Sequence, residues 1–303
     1  MKENELISKL LNSDALNSLK IESRVYNELL KLKWHPEQSP YFLDKSSNKL
    51  RELDVKARKY FKKGDYSCDI DILIECKSLK NYHIIANNEA TSTSNFELVW
   101  TGSYIFQSVN KLDNLLYKHN FNTEECTYIK EKLEEYCIVN GMYKWLDYMI
   151  LPFEIPTFNA YRETNINSTK DIDNSVIWKC IQSLQGAMIA HEDLLLDRIE
   201  HEIIEAKNQN NSNLKKIDDL VQRLCSTSNH VFFLHPIIVV ESKLWEFTNK
   251  GQLQELKYLR LNIQRFFDAE FWVDIVNFDH ISEYLNKTKK YTSFHNRRKF
   301  ITF

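Results

Sequence analysis

The sequence predicts an α/β fold: a mixed central β-sheet with flanking helices and a helical insertion over 86–170, in a single domain of 303 residues. Three observations predict it. The runs 50–60 and 66–77 alternate apolar and polar residues as half-buried strands do. The run from Val231 to Val240 is the most apolar in the chain and reads as a central strand. Around these signals stand long stretches of helical periodicity, one of them from about 173 to 207.

Element by element, 14–34 is an amphipathic helix with Ser13 or Asp14 as its cap, ended by Pro36 and Pro40. The two alternating runs follow, separated by the turn signal Lys62-Lys-Gly-Asp65. Helical pattern occupies 103–119, 123–138 and 142–150, and a polar connector with Pro152 and Pro156 leads to the long helix. A shorter helix covers 214–225. Beyond the apolar run, 243–247, 258–266 and 271–278 read as strands, and 279–290 as a closing helix.

Composition excludes several functions. Hydrophobic residues make up 43% of the chain, with 17 Phe, 15 Tyr and 6 Trp, enough for a sizeable core and too apolar for disorder. A net charge of −2 supplies no global field for a polyanion, so any such site must be a local basic patch. Only five glycines argue against the phosphate cradles of dinucleotide-binding and P-loop folds. The six cysteines are scattered without a C-x-x-C pair, as buried reduced thiols would be. No leader follows Met1, and no window approaches the ~20 apolar residues a bilayer needs. A soluble, cytoplasmic protein without membrane association is expected.

Chemistry concentrates in the two alternating runs. In the second, Ile70, Ile72, Ile74 and Cys76 share one face, leaving Asp69, Asp71, Leu73, Glu75 and Lys77 on the other. In the first, Leu53, Val55 and Ala57 face the core, and Glu52, Asp54 and Lys56 face away. If Gly64-Asp65 is a two-residue turn, Asp54 lies ten residues before it and Glu75 ten after, directly opposed. Opposed carboxylates repel, and a hard divalent cation removes the conflict. Mg²⁺ or Mn²⁺ could take oxygens from Asp54, Glu75 and the backbone carbonyl of Cys76. Lys77 would position or deprotonate a water and offset transition-state charge. The plainer alternative is a polar sheet face with a cross-strand Glu–Lys network.

A third element adds weight. On the helical wheel for 19–33, Ile21, Val25, Tyr26, Leu29, Leu30 and Leu32 form an apolar arc, and Glu22 falls near its centre. An acid inside a core-facing stripe is costly without a partner, so Glu22 is a candidate for the metal site or its support.

An acid on the first helix, Arg51-Glu-Leu-Asp54 in one strand and Ile74-Glu-Cys-Lys-Ser78 in the next resemble the PD-(D/E)xK nuclease superfamily, the restriction-endonuclease-like fold. The resemblance implies that Asp54 and Glu75 bind metal, Lys77 is the motif lysine and Glu22 the first-helix acid. It also implies a polar residue on a later helix, for which Gln182 or Gln185 stands available. The proline of the family's name is absent, since Leu53 precedes Asp54. The implied activity is metal-dependent DNA cleavage, by a homodimer where both strands are cut, in restriction, repair or anti-phage defence beside a possible partner protein. The alternatives are a catalytically silent nucleic-acid-binding subunit and an RNA-cleaving nuclease.

Basic residues give the phosphate contacts expected of such a site. Lys56, Arg58, Lys59, Lys62 and Lys63 surround Tyr60 and Phe61 near the hairpin tip. The C-terminal segment 287–299, with Arg297, Arg298 and Lys299, mixes cations with aromatics. Glu241-Ser-Lys243, a second E-x-K, has no acid partner before it and reads as a turn.

Overall fold

A computed structural model of the chain describes residues 3–11, 13–44, 47–63, 66–79, 82–89, 109–139, 155–165, 175–208, 213–228, 230–264 and 270–292. The chain begins with helices α1 (Glu3–Leu11) and α2 (Asp14–Lys31). Ser13 caps α2, its hydroxyl accepting from the Leu16 N–H at 3.3 Å. The helix ends where Lys33 enters the left-handed region at φ 61° and the Trp34 N–H closes on the Leu29 carbonyl. Strands β1 (His35–Gln38), β2 (Tyr41–Asp44), β3 (Lys49–Glu52), β4 (Val55–Lys63), β5 (Tyr66–Lys77) and β6 (Tyr82–Glu89) follow. Next come α3 (Val109–Lys118), α4 (Thr123–Val139), β7 (Thr157–Asn165), α5 (Val176–Asn208) and α6 (Asn213–Ser228). The chain continues with β8 (His230–Val240), β9 (Lys243–Phe247), β10 (Leu253–Leu256), β11 (Tyr258–Gln264), β12 (Glu270–Asn277) and α7 (Ile281–Thr292).

Ten strands form one mixed sheet in the order β1-β4-β5-β8-β12-β11-β7-β6-β9-β10, and β2 pairs with β3 separately. The expected mixed α/β architecture is therefore present. β4 and β5 are antiparallel, and β8 runs parallel to β5 over its whole length, from Ser67↔His230 to Lys77↔Val240. Such a parallel return needs a long crossover, and α5 and α6 lie within it. Pro236 lies in this interior strand immediately before the stretch Ile237–Val240 that pairs with β12, a position where its missing N–H does least harm.

Three sequence expectations are revised. The run 50–60 is not one strand: it breaks at Leu53-Asp54, where the Leu53 N–H reaches the Pro40 carbonyl and the Ser39 N–H reaches the Asp54 carbonyl. The break puts Leu53 in a different core cluster from Val55 and Ala57, instead of on their face. Strand also occurs at both ends of 86–170, since β6 and β7 are antiparallel neighbours in the main sheet, with helices α3 and α4 between them. Polar residues such as Asn87 and Asn88 hide β6 from an apolar-alternation test. Pro36 and Pro40, read only as ending the helix, mark strands: Pro36 lies within β1, opposite Ala57 of β4, and Pro40 immediately precedes β2. The expected helix 142–150 lies outside the described residues.

Two hydrophobic cores result. One gathers Ile21, Val25 and Leu29 of α2 with Val55, Ala57, Ile72 and Ile74 of the hairpin, and extends through α3, α4 and α6. The other gathers Leu53, Leu73 and Ile238 with Ile177, Ile181, Leu184 and Met188 of α5. This half of α5 is anchored at its start by Glu163 of β7, which accepts from the Val176 and Ile177 N–H groups. A Cβ on Gly186 would come 3.3 Å from the Phe42 ring, so glycine lets β2 lie close against α5.

A charged cluster is buried in the sheet. Arg260 of β11 donates to Asp274 of β12 at 2.6 and 2.8 Å and stacks 3.9 Å over the Trp272 ring. His235 of β8 and the Tyr284 hydroxyl of α7 reach the same carboxylate at 2.9 and 2.5 Å. All four residues are at most 4% exposed. His235 serves this cluster as a structural contact.

Candidate active site

The β4–β5 register runs from Val55↔Ile74 to Lys63↔Tyr66, so the pairing expected from equal spacing about Gly64-Asp65 is the one observed. Asp54 immediately precedes Val55, the first paired residue of β4, and Glu75 immediately follows its partner Ile74. The ammonium of Lys77 stands between them, 3.0 Å from Asp54 Oδ2 and 3.0 Å from Glu75 Oε2. Asp54 Oδ2 also accepts from the backbone N–H of Cys76 at 2.6 Å. Glu75 Oε1 accepts from the Ser183 hydroxyl of α5 at 2.8 Å. Every oxygen named has a donor, which is what keeps two acids together in a shielded place.

The sequence placed the polar helix residue at Gln182 or Gln185. Gln182 is exposed, and its neighbour Ser183 makes the contact. Ser183 repeats one turn before Ala187, on the face that buries Leu184 and Met188, so the wheel of α5 contains the signal. Glu22 is only 7% exposed, inside the apolar stripe of α2 as expected. The Ser18 hydroxyl donates to it at 3.0 Å.

Electrostatics divide the roles. Burial pushes the Glu75 carboxyl up to about 6, with Lys77 opposing and Asp54 reinforcing the shift. Burial likewise raises Glu22, opposed by Ser18 and reinforced by the charge of Asp54. Burial works against the Lys77 ammonium, but Glu75, Cys180 and Asp54 outweigh it and hold the amine protonated far above the ordinary lysine range. Of the two roles foreseen for Lys77, charge and positioning fit this state, and proton removal does not. Burial raises the Cys180 thiol to about 12 and the Cys76 thiol well above its usual value, so both act as inert core residues.

The donor set consists of hard carboxylate oxygens, which suits Mg²⁺ or Mn²⁺. Asp54 and Glu75 are the residues that could hold such an ion, with Glu22 close enough to feel Asp54 and Lys77. Cys76 contributes its N–H to Asp54 as described. Among the described residues, no three His, Cys, Asp or Glu side chains are gathered tightly enough to enclose a metal by themselves. Lys77 holds the space between the two acids of the hairpin.

Of the cations expected to meet phosphate, three are engaged within the protein. Arg58 forms a bidentate pair with Asp71 at 2.6 and 2.7 Å, and Lys56 lies 3.3 Å from the same carboxylate. Lys59 donates to the Leu32 carbonyl at 3.2 Å and lies over the Trp34 ring. The side chains of Lys62 and Lys63, and the segment with Arg297, Arg298 and Lys299, lie outside the described residues. Sequence reasoning missed Glu241. It sits in the turn after β8 as expected, but it joins Arg24 of α2 at 2.7 Å and Ser78 at 2.6 Å. Its own N–H reaches the Lys77 carbonyl, so it ties α2 to the end of β5.

Compared with known proteins, the chain matches no family model, no curated protein and no solved structure. Among the described residues, no helix is long and apolar enough to cross a membrane.

Proposed function

We propose that this chain is a metal-dependent endonuclease hydrolysing DNA phosphodiester bonds, with a core of the restriction-endonuclease-like kind. The observation that carries the reading is the convergence of Asp54 and Glu75 on Lys77, 3.0 Å from each, with Glu22 buried on α2 within reach of the charges of Asp54 and Lys77. A bound Mg²⁺, held by Asp54 and Glu75, would offset the negative charge of the scissile phosphate and lower the pKa of a water. Asp54, fixed by the Cys76 N–H, orients the reacting centre. Lys77, permanently cationic, offsets the negative charge that grows on the phosphoryl oxygens. Glu75 is the group of this trio that exchanges a proton near neutrality.

The test is incubation of the protein with supercoiled plasmid and with RNA, each in Mg²⁺, Mn²⁺ or EDTA. Plasmid nicking or linearisation in the metal lanes alone is expected. Metal-independent binding without cleavage of either polymer would refute the reading, and cleavage of RNA alone would change its substrate.

The pH profile adds a sharper measurement. Glu75 must be ionised to act, so kcat/KM should rise through about pH 6. The Ser183 hydrogen bond lowers this pKa, so Ser183→Ala should move the inflection upward. The sign for stability is the reverse of the usual carboxylate case. The folded state binds the Glu75 proton more tightly than the unfolded chain, where a glutamate carboxyl titrates near 4.5. The site therefore costs roughly 2 kcal/mol above about pH 6, and this cost vanishes as pH falls below the unfolded value. An inflection unmoved in Ser183→Ala would detach Glu75 from the profile.

A further inference from the structure

Beside the acids, a groove of about 390 Å³ opens between β2, the hairpin and α5, within the size range of small-ligand sites. Three of its lining residues are close neighbours in sequence of residues of the candidate site. Leu53 on its floor precedes Asp54, Leu73 lies two residues before Glu75 on the same strand face, and Ala187 lies one turn beyond Ser183. The first of those steps spans about 4 Å and the other two about 6–7 Å. Its rim carries Tyr41, 69% exposed, and Leu194, 61% exposed, large apolar groups facing solvent at the edge of a polar site.

The charges select what can enter. Glu37, Asp193 and Asp197 line the groove against one ammonium, that of Lys56, which already lies 3.3 Å from Asp71. His191 in the wall is neutral near pH 7, since burial and the charge of Lys56 push it down to about 4. A phosphate is repelled there. A flat apolar ring is not, and carboxylates accept hydrogen bonds from exocyclic amines.

We propose that this groove receives one unpaired, amino-bearing nucleobase flanking the phosphodiester held at Asp54 and Glu75. This rests on the nuclease reading and adds a substrate class to it: a single-stranded region, or a base turned out of its stack. The ring lies against the apolar rim as bases do on aromatic platforms, and the acids of the wall favour amino-bearing bases over thymine and uracil, which lack the exocyclic donor.

The test uses the full-length protein in EDTA, so that binding is separated from cleavage. An oligothymidine strand carrying a single adenine should bind at least about tenfold tighter than oligothymidine alone. Ala190→Trp, which fills the groove, and Leu194→Glu, which adds charge at an exposed rim position, should each remove that preference. Thermal melts check that both variants fold; Leu194→Glu, being on the surface, serves if the larger side chain does not. A parent without preference, or a folded variant that keeps it, overturns the groove. Cleavage is scored separately in Mg²⁺. A parent that prefers the adenine strand but never cuts refutes the nuclease and leaves the groove standing, whereas a parent that cuts without preference refutes the groove alone.

Discussion

Asp54→Asn should lower kcat/KM for plasmid cleavage by about 10³-fold or more while leaving the melting temperature close to that of the parent. The separation follows from the two jobs of one oxygen. Asp54 Oδ2 accepts from the Cys76 N–H at 2.6 Å and from Lys77 at 3.0 Å. Asparagine keeps an acceptor for the N–H but no charge for Lys77 or for a cation. Asp54→Ala removes both, and should lose a further ~1–3 kcal/mol of stability because the N–H is stranded. Lys77→Ala should be as inactive, for a different reason. Without the ammonium, Glu75 keeps its desolvation and the repulsion of Asp54, so its proton is held above the present value of about 6. Activity measured alongside melting separates the causes. An Asp54→Asn protein that folds and cuts as fast as its parent would end the assignment of this site.

The site was legible where a local rule fixes geometry. Side chains alternate along a strand, so the equal spacing of Asp54 and Glu75 about a two-residue turn dictates which face and which partner each has. Glu22 was legible because an acid within an apolar stripe needs a reason. Ser183 was missed because each step along a helix turns about 100°, and three candidates within four positions differ only in how a 33-residue helix is rotated on the sheet. The engagement of Arg58 could have been foreseen, since the same register that opposes Asp54 to Glu75 opposes Arg58 to Asp71. Cations read as a patch in sequence are often one half of a cross-strand pair. Leu53 departed from expectation because the strand breaks beside it, and alternation carries no information across a break.

The charged contact at the middle of the sheet was invisible for another reason. Arg260 and Asp274 sit in separate apolar runs, and only their pairing across β11 and β12 shows that they meet. Replacing Asp274 with alanine should destabilise the protein by about 3–5 kcal/mol, the largest stability effect expected of any single change here. The residue is 0% exposed and Arg260 is 4% exposed, so the guanidinium would be left buried without its counter-charge, and His235 and Tyr284 would lose an acceptor. Burial opposes the charged form of Asp274, but Arg260 and His235 outweigh it and hold the carboxyl far below the ordinary range. Its stabilising contribution is thus complete above the unfolded value near 3.8 and is lost only as pH falls well below it. The pair's existence does not make it a net gain, because both groups were taken out of water. Replacing both at once, with Arg260→Met and Asp274→Leu, should therefore cost less than Asp274→Ala alone, and could be neutral. Denaturant melts of the two single variants and the double variant decide the matter. A double variant as unstable as the sum of its parts would mean that the ion pair holds β11 and β12 in register by its own attraction, and not merely that a lone buried charge is intolerable.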